Sequence, residues 1–325
     1  MHKKTRKTKL AYSLKSPIEN LNKKGRTKTA IPIAKLPNEN EVSLSVIIHN
    51  SGKPGPTILF SAGMHGDEIN GVEIVRNIDH LLTNEYQLTK GKIILLPIIN
   101  PFGFINFSRY LPDGKDLNRS FPGSKNGSLA SIIAFILTNT ILPHIDFGID
   151  FHTGGEQKFN YPHLRIDLND KKALEIAKIT ETNTIIHSTY IAKSFRKISA
   201  QKNKPILVFE GGESNRIDNA VIDTGITVAL NLMSNLELIK DIYIHTSNQK
   251  IYKHSSWLRA KSAGIFKSVV KVGELVTKKQ TIGFISSPLN AYNIPIITPH
   301  EGIVFGINNS AIVYKGEALF HLAFN

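Results

Sequence analysis

The chain has 325 residues, 41% of them apolar, enough for one large domain and a small one, with disorder confined to the ends. It contains no cysteine, so disulfides and thiolate ligands are excluded, and any metal site must be built from histidines and carboxylates. The net charge is +14, but residues 1–28 hold ten Lys/Arg against one acid, so the rest of the chain is only mildly basic.

The chain opens with Lys3, Lys4, Arg6, Lys7 and Lys9, and no apolar stretch follows of the kind a secretory signal needs. No apolar run reaches the roughly 18 residues of a membrane span. No basic stripe interleaved with aromatics marks a nucleic-acid surface. The basic stretch reads as a solvated tail, although such a tail can also touch phosphates. These features favour a cytoplasmic protein without a membrane or nucleic-acid partner, and they leave the oligomeric state unknown.

Residues 57–63 follow a Gly-Lys-Pro-Gly-Pro turn and read as a buried strand. A helix over 69–82 comes next, with Ile69, Val72, Ile74, Val75, Ile78, Leu81 and Leu82 at helical spacing. Ile93 to Ile99 is a second apolar run, ending at Asn100-Pro101. Further on, 128–140 is helical, Phe147 to Phe151 a strand, 171–183 helical, and Pro205 to Phe209 another buried strand. This alternation predicts an α/β fold: a mixed, mostly parallel sheet with helices on both faces. Functional groups then belong just past the C-terminal ends of strands.

After about residue 244 the pattern changes to short alternating stretches punctuated by glycine, which predicts a small C-terminal all-β domain. Val272-Gly273-Glu274-Leu275 and Tyr314-Lys315-Gly316-Glu317 read as two hairpins of a weak internal repeat. Thr298-Pro299-His300-Glu301-Gly302-Ile303-Val304 is similar to a lipoyl/biotinyl-type barrel, but no Met-Lys-Met-like tip follows, so no carrier role is expected. The expected division is a basic extension over 1–40, a main domain over 41–244, and a β domain over 245–325.

Gly63-Met64-His65-Gly66-Asp67-Glu68 lies between a strand and a helix. A histidine and a carboxylate three residues apart there can converge on one cation. Asp150-Phe151-His152-Thr153-Gly154-Gly155 supplies a third ligand from another strand end. Asp150 and His152, two apart on a strand, face the same way, which makes Asp150 the outer partner of a ligating His152. Taken singly these residues have plainer readings, and Glu68 would also serve as a helix N-cap. Together, His65, Glu68 and His152 form a two-histidine, one-carboxylate set that leaves a fourth position open on zinc, one ion per chain.

The loop between them carries Arg109 and then Asp116-Leu117-Asn118-Arg119. Near a polarised carbonyl, one guanidinium can bind the developing oxyanion. Asn118 and Arg119 side by side make a fork for a carboxylate. Val208-Phe209-Glu210-Gly211-Gly212-Glu213 ends a buried strand with a carboxylate before glycines, so Glu210 is the expected base and Glu213 its competitor.

These pieces resemble the succinylglutamate desuccinylase/aspartoacylase family, relatives of the zinc carboxypeptidases. The resemblance rests on Gly63-x-His65-Gly66-x-Glu68, Asn100-Pro101, Asp116-Leu117-Asn118-Arg119-x-Phe121-Pro122-Gly123, Asp150-x-His152-Thr153-Gly154-Gly155 and Glu210-Gly211-Gly212, in that order. It runs from about residue 40 to the C-terminus. It implies a carboxypeptidase-like fold hydrolysing the amide bond of a small N-acyl amino acid. By resemblance His65, Glu68 and His152 match the zinc ligands, Arg109 the residue polarising the carbonyl, Asn118 and Arg119 the carboxylate binders, and Glu210 the base. The interval from Arg109 to Arg119 is a little longer than in aspartoacylase. The C-terminal substrate tyrosine of some members has only Tyr292 and Tyr314 as candidates. The alternative activity is a zinc carboxypeptidase trimming a peptide or protein C-terminus, which needs an open groove. A metal-binding module without catalysis would be expected to lack the base.

Overall fold

The structure is a computed structural model and describes residues 19–240, 248–289 and 293–325. The first eighteen residues of the basic extension, the expected domain boundary at 244/245 and Tyr292 lie outside the described residues.

Strands β1 (Gly25–Lys35), β2 (Glu41–Asn50) and β3 (Thr57–Ala62) lead into helix α1 (Ile69–Asn84) and strand β4 (Lys92–Leu96). Helices α2 (Pro101–Ile105) and α3 (Leu129–Ile136) precede strands β5 (Phe147–Gly154) and β6 (Lys158–Ile166). Helix α4 (Lys171–Ile179), strand β7 (Thr184–His187), helix α5 (Phe195–Gln201), strand β8 (Ile206–Glu213) and helix α6 (Asn219–Asn235) follow. Thereafter the described residues form strands only: β9 (Lys250–Tyr252), β10 (His254–Arg259), β11 (Gly264–Ser268), β12 (Leu275–Val276), β13 (Thr281–Ser286), β14 (Asn293–Ile297), β15 (Gly302–Asn308), β16 (Ile312–Val313) and β17 (Ala318–Phe324).

The main sheet is mixed, in the order β1-β2-β4-β3-β5-β8-β6-β15-β17-β10. Its centre, β4-β3-β5-β8, is parallel, and antiparallel strands flank it on both sides. The central strands are buried on both faces, as parallel strands covered by helices must be. In β3, Ile58 and Phe60 pack with Ile74 and Ile78 of α1 and Leu232 of α6, whereas Leu59 packs with Ile133 of α3 and Phe195 of α5. Two hydrophobic layers therefore enclose the sheet, the pattern expected from its alternating side chains.

Three boundaries differ from the sequence expectation. The run from Ile93 stops pairing at Leu96, because Pro97 carries no N–H for a ladder. The helix expected over 128–140 is α-helical only to Ile136, then widens over Leu137–Ile141 and tightens to His144. Residues 25–35, counted in the basic extension, form edge strand β1, in which Ile31 and Ile33 are buried while Ala30 and Pro32 beside them are exposed.

The C-terminal region forms a separate antiparallel sheet, β14-β13-β11-β16, with its own core around Phe266, Ile282 and Phe320. Its remaining strands extend the main sheet, because β15 pairs with β6. The two stretches read as hairpins are turns that join strands not paired with each other, and among the described residues the same turn is found a third time. In each, the fourth residue's N–H bonds back to the first carbonyl, while its side chain accepts from the first N–H: Lys271 to Glu274, Thr277 to Gln280, Tyr314 to Glu317. The third residue, Gly273, Lys279 or Gly316, has positive φ, as a tight turn of this kind requires.

Candidate active site

The parallel strands β3, β5 and β8 end side by side, and each delivers part of the site. After β3 the chain passes through His65 and Gly66 before entering α1 at Glu68. Gly66 is needed there because a Cβ would come 1.9 Å from the backbone of Gly103, in the middle of α2. Glu68 holds the N-cap position of α1, but its side chain makes no capping bond. Instead its two oxygens divide between the histidines: Oε1 lies 2.7 Å from Nδ1 of His65 and Oε2 lies 2.8 Å from Nδ1 of His152. The three residues are almost fully buried, and their ligand atoms lie within 4.8 Å of one another.

Each imidazole also has a carboxylate on its far side. Nε2 of His152 is 2.7 Å from Asp150, whose other oxygen accepts from Ser61 Oγ at 2.7 Å. Nε2 of His65 is 3.3 Å from Asp116. Placing the protons on Nε2 turns both Nδ1 lone pairs toward the Glu68 carboxylate, and Arg109 donates to Nδ1 of His65 at 3.2 Å in keeping with that tautomer. Two nitrogen donors and one carboxylate, converging with their outer partners in place, fit a zinc ion by donor type and number. Burial would raise Glu68, but His65 and His152 hold its carboxylate well below the usual range. Conversely, burial would lower His152, but Asp150 and Glu68 raise it well above an ordinary histidine. Such a charge-dense interior group is one that a cation can compensate.

All seven residues expected to act directly line one cavity of about 220 Å³: His65, Glu68, His152, Arg109, Asn118, Arg119 and Glu210. Asp150 contacts Nε2 of His152 from behind. Arg109 is anchored by Asp116 at 2.8 Å and comes 3.6 Å from Glu68. Burial acts against its charge, but Asp116 and Glu68 outweigh it and raise the guanidinium pKa. Asn118 accepts from Phe195 N–H through its side-chain oxygen, which leaves the amide NH2 as its donor group. Arg119 is exposed and donates to the Asn118 carbonyl at 2.7 Å. Glu210 pairs in register with His152 across β5 and β8. Glu213 instead lines a neighbouring hollow, bonded to Asn309 at 2.6 Å. Tyr314 is 74% exposed, in a turn, and is not among the residues lining the cavity.

Sequence reasoning missed half of the cavity wall. Lys158, Asn160 and Arg165 come from β6, Arg196 from α5, and Trp257 and His321 from the C-terminal strands β10 and β17. Trp257 and His321 are register partners, stacked with ring centres 4.1 Å apart. Burial, reinforced by Arg165, lowers His321 to about 2, so the stack is neutral. Arg196 spends its guanidinium on the carbonyls of Arg165, Ser188 and Thr189, and burial lowers it to about 10. Five cationic side chains thus face two carboxylates, Glu68 and Glu210, in one small cavity. Such a balance favours an anionic ligand.

The family model described as "Succinylglutamate desuccinylase/Aspartoacylase catalytic domain" matches residues 54–236. The chain is 28% identical over 312 residues to an N-alpha-acetyl-L-2,4-diaminobutyric acid deacetylase of Halomonas elongata, covering 89% of this chain and 90% of the relative. Among solved structures, the ectoine utilization protein EutE of Ruegeria pomeroyi superposes with a TM-score of 0.82 at 18% identity, covering 94% of this chain and 97% of the other. An aspartoacylase family protein of Mesorhizobium loti gives a TM-score of 0.80 at 25% identity, covering 94% and 96%.

Proposed function

Because the chain belongs to the succinylglutamate desuccinylase/aspartoacylase family, we propose that it is a zinc-dependent hydrolase that cuts the amide bond of a small N-acyl amino acid. The observation that carries this reading is the meeting of a His65–Glu68–His152 ligand set with Glu210 and several cations in one cavity. Nδ1 of His65, Nδ1 of His152 and the Glu68 carboxylate are the groups that would hold the ion. A zinc ion there supplies Lewis acidity, lowering the pKa of a water and polarising the scissile carbonyl.

The remaining roles belong to the chain's own residues. Glu210 takes the proton of the attacking water as its oxygen joins the acyl carbon, then returns a proton to the nitrogen as the C–N bond breaks. The products are a carboxylic acid and a free amine. Arg109, kept rigid by Asp116, donates to the carbonyl oxygen as negative charge accumulates. The Asn118 amide and the Arg119 guanidinium bind the substrate carboxylate, which makes the reaction effectively intramolecular. The acetyl group is the first acyl group to test, since a relative is a deacetylase of an N-acetyl amino acid.

A wall of Trp257 and His321 favours a small substrate over a peptide tail, because the C-terminal strands border the cavity. We further propose that 245–325 acts as that wall, in a cytoplasmic enzyme. The test is to incubate zinc-loaded protein with a panel of N-acetyl and N-succinyl amino acids and with short free-acid peptides. Amine release from N-acyl amino acids alone supports the proposal. Release of C-terminal residues from peptides alone contradicts it.

A further inference from the structure

Both oxygens of Glu210 are engaged, but differently. Asn160 donates through Nδ2 to Oε2 at 3.0 Å, while Nη1 of Arg165 stands 3.5 Å from Oε1, close enough for an ion pair but at the outer limit of a hydrogen bond. Asn160 is only 6% exposed, so this contact is a buried hydrogen bond to a charged acceptor. It comes from β6, whose register sets Asn160 against Gly212 of β8, with a shift before His163 meets Glu210.

The other side of Asn160 rests on the C-terminal region. Strand β15 places Gly306 opposite it. A Cβ at position 306 would lie 3.2 Å from Asn160 Oδ1 and 3.0 Å from the His321 Cβ. The bare glycine therefore leaves the space in which the amide lies and aims at Glu210.

A glutamate has a flexible side chain, and freezing it has an entropic cost that a fixed donor can offset before substrate arrives. A neutral amide on one oxygen fixes the rotamer without adding another positive charge beside the base. We propose that Asn160 is a positioning residue for Glu210: it clamps Oε2, leaves Oε1, which Arg165 approaches only to 3.5 Å, for the attacking water, and is itself backed by Gly306. This rests on Glu210 being the base, as proposed above. The clamp gives the C-terminal region a part in catalysis that passes through two contacts, Gly306 to Asn160 and Asn160 to Glu210.

A double-mutant cycle on the zinc-loaded enzyme tests the proposal. Asn160→Ala should lower kcat about 10- to 100-fold, the usual cost of misplacing a reacting group, while KM stays within about threefold and zinc content is unchanged. In a Glu210→Gln background the same substitution should cost nothing more, because there is no base left to aim. Gly306→Ala should show the same dependence on Glu210 more weakly, and it gives a second cycle should Asn160→Ala fail to fold. Wild-type kcat in a folded Asn160→Ala protein overturns the clamp. So does an equal slowing of both backgrounds by either substitution. If Glu210→Gln alone retains wild-type kcat, the base assignment fails instead, and the clamp with it.

Discussion

Asp116 lies 3.3 Å from Nε2 of His65, although the two residues are 51 positions apart. Its other oxygen accepts from Arg109 at 2.8 Å, so one carboxylate touches both the proposed metal ligand and the proposed oxyanion donor. Burial would raise Asp116, but His65 and Arg109 keep it well below the usual range, so it remains charged in this role. Asp116→Ala should weaken zinc binding about 10- to 100-fold, the usual cost of losing an outer partner of a ligating histidine. It should also lower kcat beyond what restored zinc can repair. Competition against a chelator of known affinity measures the first effect, and turnover at saturating zinc the second. Unchanged affinity in the folded variant would show that Asp116 does not orient His65.

The two carboxylates at the end of β8 should separate cleanly. Glu210→Gln is expected to keep its zinc and lose about 10²–10⁴-fold in kcat, the range for a positioned general base. Glu213 lines the neighbouring hollow and bonds to Asn309, so Glu213→Gln should change kcat by less than tenfold. Steady-state kinetics on both variants decides the matter, and the reverse ranking would move the base by three residues.

How far the sequence reaches can be seen from particular residues. His65, Glu68 and His152 were legible because they follow or end apolar strands, His65 and Glu68 between β3 and α1 and His152 near the end of β5, in short patterns whose chemistry is local. Asp150 followed from strand periodicity alone. The role of Asp116 was not legible, since nothing in Asp116-Leu117-Asn118-Arg119 says that the carboxylate turns back toward His65. Asn160, Arg165, Trp257 and His321 were invisible for a further reason. They enter the cavity through antiparallel pairings of β6 with β8 and of β10 with β17, contacts between distant segments that leave no local signature. Strand β1 was hidden because Ile31 and Ile33 follow directly on the basic stretch that reads as a tail and were counted with it. The central parallel strands were plain because burial on both faces makes them continuous apolar runs.

Arg119 is assigned to the substrate carboxylate, which is present before and during the reaction. Arg119→Ala should therefore raise KM more than it lowers kcat, because it removes mainly uniform binding. Amidating that carboxylate should weaken binding to the wild type and matter little to the variant. Equal reaction of free-acid and amidated substrates with wild type would remove the carboxylate fork from the account.

Away from the cavity, Asp79 of α1 ties down two strands: Arg26 of β1 donates to both of its oxygens, and His49 of β2 lies 2.8 Å away. Burial would raise Asp79, but Arg26 and His49 depress it well below the usual carboxylate range. A depressed folded pKa adds stability above the unfolded value, near 3.9, and that stability is lost as the pH falls further. Asp79→Asn should lower Tm by a few degrees near neutrality, the effect of losing about 1 kcal/mol. The gap between wild type and variant should hold from pH 7 to about 5 and narrow below pH 4. Thermal melts across that range would contradict the assignment if the gap stayed constant down to pH 2.

Zinc titration of the metal-free protein, with release of free amine from an N-acetyl amino acid as the readout, decides whether the chain is a zinc hydrolase. Amine release should be absent before zinc is added and rise linearly with it. The rise should stop at one equivalent per chain in wild type, and no rise should occur in His152→Ala. Full turnover by the metal-free protein, or activity in His152→Ala equal to wild type at one equivalent, would contradict a zinc site built on His65, Glu68 and His152.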